Sequence, residues 1–118
     1  MKSGLETYKG KKIFIARYDH MTDIELKKEV YEVMTYMTQN KANQDVLALV
    51  DTTGTLVSPD VLTLFKEMSL KSTEYKTKTA ILGMTGPRRV FLEIVAKFSK
   101  SSAMPFDDIQ AAKDWLVS

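Results

Sequence analysis

Val46 to Thr55 reads VLALVDTTGT, five apolar residues running into one acid, three hydroxyls and a glycine. Val46 to Val50 is apolar on both alternations, the pattern of a strand covered on its two faces rather than one. Ile13 to Ala16 and Ala80 to Leu82 share it. Buried strands of this kind belong to the middle of a parallel sheet, whose two faces must be covered by helices.

Upstream, Leu5 to Tyr8 and Lys12 to Tyr18 flank Lys9-Gly10-Lys11, a connection of hairpin length, and predict two antiparallel strands. Thr22 to Asn40 places Leu26, Val30, Val33, Met34 and Met37 at helical spacing, and Thr22-Asp23-Ile24-Glu25 has the form of a capping box. Downstream, Ser58-Pro59 supplies an N-cap hydroxyl and a proline at the first helical position, followed by the stripe Val61, Leu64, Phe65 and Met68. Thr79 to Met84 reads as the next strand. Gly86-Pro87 opens a third helix with Val90, Phe91, Ile94, Val95 and Phe98 inward. Ala103 to Phe106 is a short last strand, and Asp107 or Asp108 caps a final helix through Leu116. The predicted class is α/β: an N-terminal antiparallel strand, then four strand–helix units joined by right-handed crossovers into a mostly parallel sheet.

Composition narrows the chemistry. At 118 residues and 44% hydrophobic, the chain is expected to form one domain, residues 1–118, around one core. With no cysteine, thiol nucleophiles, disulfides and cysteine-ligated metals are excluded, and one histidine rules out histidine-rich metal sites; no cofactor is implied. The 17 basic and 15 acidic residues are interspersed and sum to only +2, which does not supply the basic face that nucleic-acid binding needs. No window approaches the roughly 18 to 20 apolar residues that span a bilayer, and Met1 to Gly10 lacks a signal-peptide core. A cytoplasmic protein without a membrane span is expected.

In an open parallel sheet, ligands bind where the strands' carboxyl ends and the helix N-termini converge. The predicted order brings Asp19 and His20, Asp51 to Thr55, Thr85 to Arg89, and Asp107 with Asp108 to that one edge. At Gly86-Pro87-Arg88-Arg89, helix-start amides beside two guanidinium groups would suit an anion; equally, glycine and proline make the turn while the arginines meet solvent, Asp51 or Asp107. His20 with Asp19 and Asp51 would be a base with an orienting carboxylate, and Thr52 or Thr53 a nucleophile. A lone histidine just before a helix cap is more often a helix-entry residue. No G-x-S-x-G elbow, phosphate-cradling P-loop or G-x-G-x-x-G fingerprint occurs. Met34, Met37 and Met68 lie on helix stripes and read as core, and Trp115 as the anchor of the last helix. Asp19, Asp51 and Thr85 end successive strands as in phosphoacceptor receiver domains, but those need five strand–helix units and a lysine after the fifth strand; four units are counted here.

This order of elements, with the strings Leu49 to Gly54, Lys78 to Arg89 and Phe106 to Leu116 (FDDIQAAKDWL), resembles the STAS superfamily of anti-sigma-factor antagonists and sulfate-transporter tails. More closely, it resembles the small stand-alone bacterial proteins grouped as SpoIIAA-like, related in fold to lipid-binding CRAL-TRIO domains. The likeness runs over about Ile13 to Val117. In the antagonists the comparable strand end reads Asp-Ser-Ser-Gly, with the second serine phosphorylated by a partner kinase. Asp51, Thr52, Thr53 and Gly54 occupy that motif, which makes Thr53 the implied phosphoacceptor. Here both serines are threonines, and Thr55-Leu56-Val57 intervene before the Ser58-Pro59 helix start, so Thr53 is expected in an extended loop away from the helix amides.

The function expected from the resemblance and the missing catalytic machinery is a non-enzymatic regulatory or binding module. It would dock a protein partner or a small ligand through Asp51, Thr52, Thr53, Gly54, Gly86, Arg88 and Arg89; a homodimer is compatible with the same sequence. Two alternatives stay open: a small carrier of an apolar or lipid-like ligand, suggested by Leu56, Val57 and Met84 near the edge, and a small hydrolase using Asp51, Thr53 and His20.

Overall fold

A computed structural model describes residues 1–39, 46–55, 58–71, 77–83 and 102–118. The chain opens with β1 (Gly4–Tyr8) and β2 (Lys11–Arg17), an antiparallel hairpin in which Tyr8 stands opposite Lys11. Lys9 and Gly10 both have positive φ, 48° and 80°, the signature of a two-residue type I′ turn whose twist matches the flanking strands. There follow α1 (Asp23–Gln39), β3 (Val46–Asp51), α2 (Pro59–Lys71), β4 (Thr77–Leu82), β5 (Ser102–Phe106) and α3 (Ile109–Val117). The five strands form one sheet in sequence order, and β2, β3, β4 and β5 pair parallel. The expected third helix, Val90 to Phe98, lies outside the described residues.

The alternating reading of the strands is visible in the core. Phe14, Ala16 and Tyr18 pack on one sheet face against Leu26, Val30 and Val33 of α1 and Val61 of α2, with Val50 beside them. Ile13, Ile15, Leu49, Ala80 and Leu82 pack on the other face against Ala112 and Leu116 of α3. β2 and β3 thus feed two separate apolar layers, which explains why these segments lack polar alternation.

Helix starts follow the capping residues. Thr22 and Glu25 form a reciprocal box, in which the Thr22 amide donates to Glu25 Oε1 at 3.0 Å and the Glu25 amide to Thr22 Oγ1 at 3.3 Å. Ser58 Oγ accepts from the Val61 amide at 3.4 Å, a long bond. Of the two candidate caps for α3 it is Asp108 whose carboxylate accepts from the Ala111 amide, at 2.9 Å.

Two polar clasps tie the hairpin down. Glu29, 5% exposed on α1, accepts from the Ser3 amide (2.9 Å), the Ser3 hydroxyl (2.7 Å) and the Lys2 amide (3.2 Å), while Ser3 Oγ accepts from the Arg17 amide. Burial pushes the Glu29 carboxyl up, but the Ser3 hydroxyl, the two amides and the N-terminal ammonium outweigh it and hold the group below its ordinary range. On the other side Tyr8 donates to Asp114 of α3 at 2.6 Å, and Lys113 pairs with Glu6 at 2.8 Å. No helix among the described residues is long and apolar enough to cross a membrane.

Candidate functional site: the carboxyl edge of the sheet

β2 and β3 run parallel, with Arg17 opposite Asp51, so their carboxyl ends emerge side by side. Thr52 to Thr55 closes a tight turn: the Thr55 amide donates to the Thr52 carbonyl at 3.0 Å. Gly54 takes φ 72° at the third position, as a type II turn requires, where a side chain would be strained. Asp51 Oδ1 accepts from the Thr53 amide at 3.0 Å and folds the strand end into the turn. Thr53 therefore stands on a compact turn, not in the extended loop expected from the sequence. The difference arises because Asp51, Gly54 and Thr55 each supply a turn-forming contact.

The segment after β2 is stitched to this turn. The Tyr18 amide donates to the Asp51 carbonyl and the His20 amide to the Thr53 carbonyl, both at 2.9 Å. Thr55 Oγ1 donates to the Tyr18 carbonyl and accepts from the Met21 amide, so one hydroxyl fixes both sides of the β2–α1 connection. Thr55 is buried accordingly. His20 adopts φ 51°, and its imidazole lies over Gly54 so closely that a Cβ there would overlap Nδ1 and Cε1. Beneath these contacts burial, with the Glu29 carboxylate adding, pushes the Tyr18 phenol far above its usual range, so it is neutral.

On the β4 side the Leu82 carbonyl accepts twice from Thr52, from its amide at 2.9 Å and from Oγ1 at 2.7 Å. Gly83, with φ 84°, brings the chain so near that a Cβ would sit 2.7 Å from Thr53 N and 2.8 Å from Thr53 Cα.

The four expected residues of the motif consequently separate. Thr52 is only 1% exposed and turned into the molecule, a correction to its expected place at the binding edge: its hydroxyl finds an acceptor in Leu82 and is spent there. Asp51 is half-buried, and Thr53 and Gly54 are exposed. His20 is exposed beside them, yet among the described residues no hydrogen bond joins its ring to Thr53 Oγ1 or to Asp51, and Asp51 Oδ1 is engaged by the Thr53 amide. Gly86, Arg88 and Arg89 lie outside the described residues, as do Leu56, Val57 and Met84. Sequence reasoning brought Thr55 to this edge without giving it a role, and missed Gly83. A glycine inside the run Thr79 to Met84 was the available signal for Gly83, since a lone strand glycine often marks close backbone approach.

No protein-family model matches the chain, and no curated protein matches it. Among solved structures it is similar to an uncharacterised protein of the DUF3478 family with a SpoIIAA-like fold, from Shewanella loihica PV-4. The TM-score is 0.64 at 21% sequence identity, and the likeness covers 97% of this chain and 91% of that one. The one antiparallel and four parallel strands, in sequence order with helices on both faces, thus have a solved counterpart over nearly the whole chain, and the protein has a SpoIIAA-like fold.

Proposed function

We propose that this protein is a non-enzymatic binding or regulatory module of STAS-like type, a single domain of the bacterial cytoplasm, which docks a protein partner or small ligand at the carboxyl edge of its sheet. The observation that carries the proposal is the division of labour in the 51–55 turn. Thr52 and Thr55 are consumed in holding it, while Thr53 and Gly54 are left outward on a support tied to β2 and β4. A prearranged surface of this kind loses little conformational entropy on binding. Arg88 and Arg89 are the cations that the sequence assigns to the same edge, and they are included in the proposed contact surface.

Hydrolysis is the weaker alternative. A triad needs nucleophile, base and orienting acid joined by hydrogen bonds, and Asp51 instead serves its own turn. Phosphorylation of Thr53 would add roughly −1.5 to −2 charges next to the Asp51 carboxylate, so it would repel rather than dock there unless Arg88 and Arg89 receive it.

The test compares proteins captured from the host by immobilised wild type and by the Thr53→Arg, Arg88→Ala and Thr52→Val variants. The expected result is loss of the same partners with Thr53→Arg and Arg88→Ala and their retention with Thr52→Val, which alters no exposed atom. Equal capture by all four proteins would place the docking surface elsewhere.

A further inference from the structure

The sheet has two outer strands, β1 and β5, and they are unlike. β5 carries Pro105, whose missing N–H blunts an edge against further pairing. β1, Gly4 to Tyr8, has no proline. Its single acid, Glu6, is held by Lys113 of α3, on the side of the sheet where Tyr8 also packs. Leu5 and Thr7 point to the opposite side, towards α1, and both are exposed, Leu5 at 57%. On this side α1 presents Tyr31, also 57% exposed, and the exposed N-terminal Met1 lines a groove with it. Met1, Tyr31, Thr35 and Tyr36 line an open groove of about 380 Å³ there. Of the six large apolar side chains exposed on the described surface, three (Met1, Leu5 and Tyr31) therefore sit on this one flank.

We propose that β1 is a self-association edge: two copies pair their β1 strands antiparallel about a two-fold axis through Leu5, joining two five-stranded sheets into one of ten. A free edge offers a row of unpaired amides and carbonyls, and the complement it needs is another extended strand. The electrostatics favour a second copy over a charged partner. A two-fold contact sets each group near its own counterpart, so an isologous patch must be close to neutral. Here Glu6 is neutralised by Lys113, and Glu32, at the groove, by the N-terminal ammonium at 3.3 Å. An axis through Leu5 sets Leu5 against Leu5, Gly4 against Glu6 and Lys2 against Tyr8, and the two cations it brings opposite each other at the ends, the N-terminal ammonium and Lys9, are each paired with a carboxylate of their own chain, Glu32 and Asp114. Because the two-fold axis is normal to the sheet, both α1 helices stay on one face. The Leu5 pair then closes the gap between the two Tyr31 grooves.

Sedimentation velocity of the full chain, from micromolar to submillimolar concentration, tests the proposal. The expected result is a monomer–dimer equilibrium that Leu5→Glu weakens by roughly tenfold or more, because it sets two carboxylates opposite each other on the dyad. Ile24→Glu, at a site 81% exposed on α1, should leave the dimer intact. Circular dichroism establishes that Leu5→Glu remains folded, and hydrogen exchange adds a second readout, with β1 amides becoming protected as concentration rises. A wild type monomeric throughout, a dimer indifferent to Leu5→Glu, or β1 amides whose exchange ignores concentration would each overturn it.

Discussion

Gly83→Ala adds one methyl group to a chain of 118 residues and is expected to be among the most damaging single changes available. The new Cβ would lie 2.7 Å from Thr53 N, 2.8 Å from Thr53 Cα and 2.9 Å from the Thr52 carbonyl carbon, all main-chain atoms that no rotamer change can move aside. Holding alanine at φ 84° costs about 1–2 kcal/mol, and forcing the β3 turn away costs a further ~1–3 kcal/mol. Against this, the stiffer unfolded chain returns about 0.4–1 kcal/mol. The net expectation is a loss of about 1–4.6 kcal/mol, centred on ~3, a large share of the roughly 5–15 kcal/mol that a domain of this size has. Gly54→Ala is the informative comparison, since its strain is similar but its obstacle is the His20 ring, which can swing into solvent. It should cost only about 1–2 kcal/mol, and part of that should vanish in a His20→Ala background, whereas the Gly83→Ala penalty should not. Urea unfolding followed by Trp115 fluorescence and far-UV circular dichroism measures all five variants. A Gly83→Ala protein within about 0.5 kcal/mol of wild type, or equal penalties at the two glycines, would refute the close approach of β4 to the 51–55 turn.

Thr52→Val keeps the shape of a buried side chain and removes the Oγ1 bond to Leu82; because the Thr52 amide still satisfies that carbonyl, urea unfolding should show a loss of only about 1 kcal/mol. Glu29→Gln should cost more, about 2–3 kcal/mol, since three donors from Lys2 and Ser3 converge on its carboxylate. Its pH signature is separate. The folded Glu29 carboxyl is held below the ordinary carboxylate value of 4.5, so its contribution is complete above that value and is lost as pH falls through the lower folded one. Urea midpoints measured through the acid range should therefore fall less steeply in Glu29→Gln than in wild type; parallel curves would show that Glu29 is not so held.

Much of the architecture was legible because it rests on local rules. Thr22 with Glu25, Ser58 before Pro59 and Asp108 before Ile109 mark helix starts by chemistry that operates within four residues. The doubly apolar runs at Ile13, Val46 and Ala80 marked strands that feed two layers. What sequence could not sort was three hydroxyls within four residues. Thr52, Thr53 and Thr55 are equivalent in propensity, and their fates are set by partners distant in the chain: the Leu82 carbonyl for Thr52, the Tyr18 carbonyl for Thr55, and solvent for Thr53. Likewise Glu29 looks like one more charge on the polar face of α1 until Ser3 is brought to it by the hairpin.

The two apolar layers on opposite faces of the sheet also set an order of events during synthesis. Among the described residues, the layer of Phe14, Tyr18, Leu26, Val30, Val33 and Val61 draws on residues 14–64, and these can close on one another while the ribosome is still translating. The layer of Ile13, Ile15, Leu49, Ala80 and Leu82 has to wait for Ala112 and Leu116. Among the described residues that layer stays open on its α3 side until residues 109–117 clear the exit tunnel, a greasy patch suited to a holdase chaperone, and the final helix is what dismisses it.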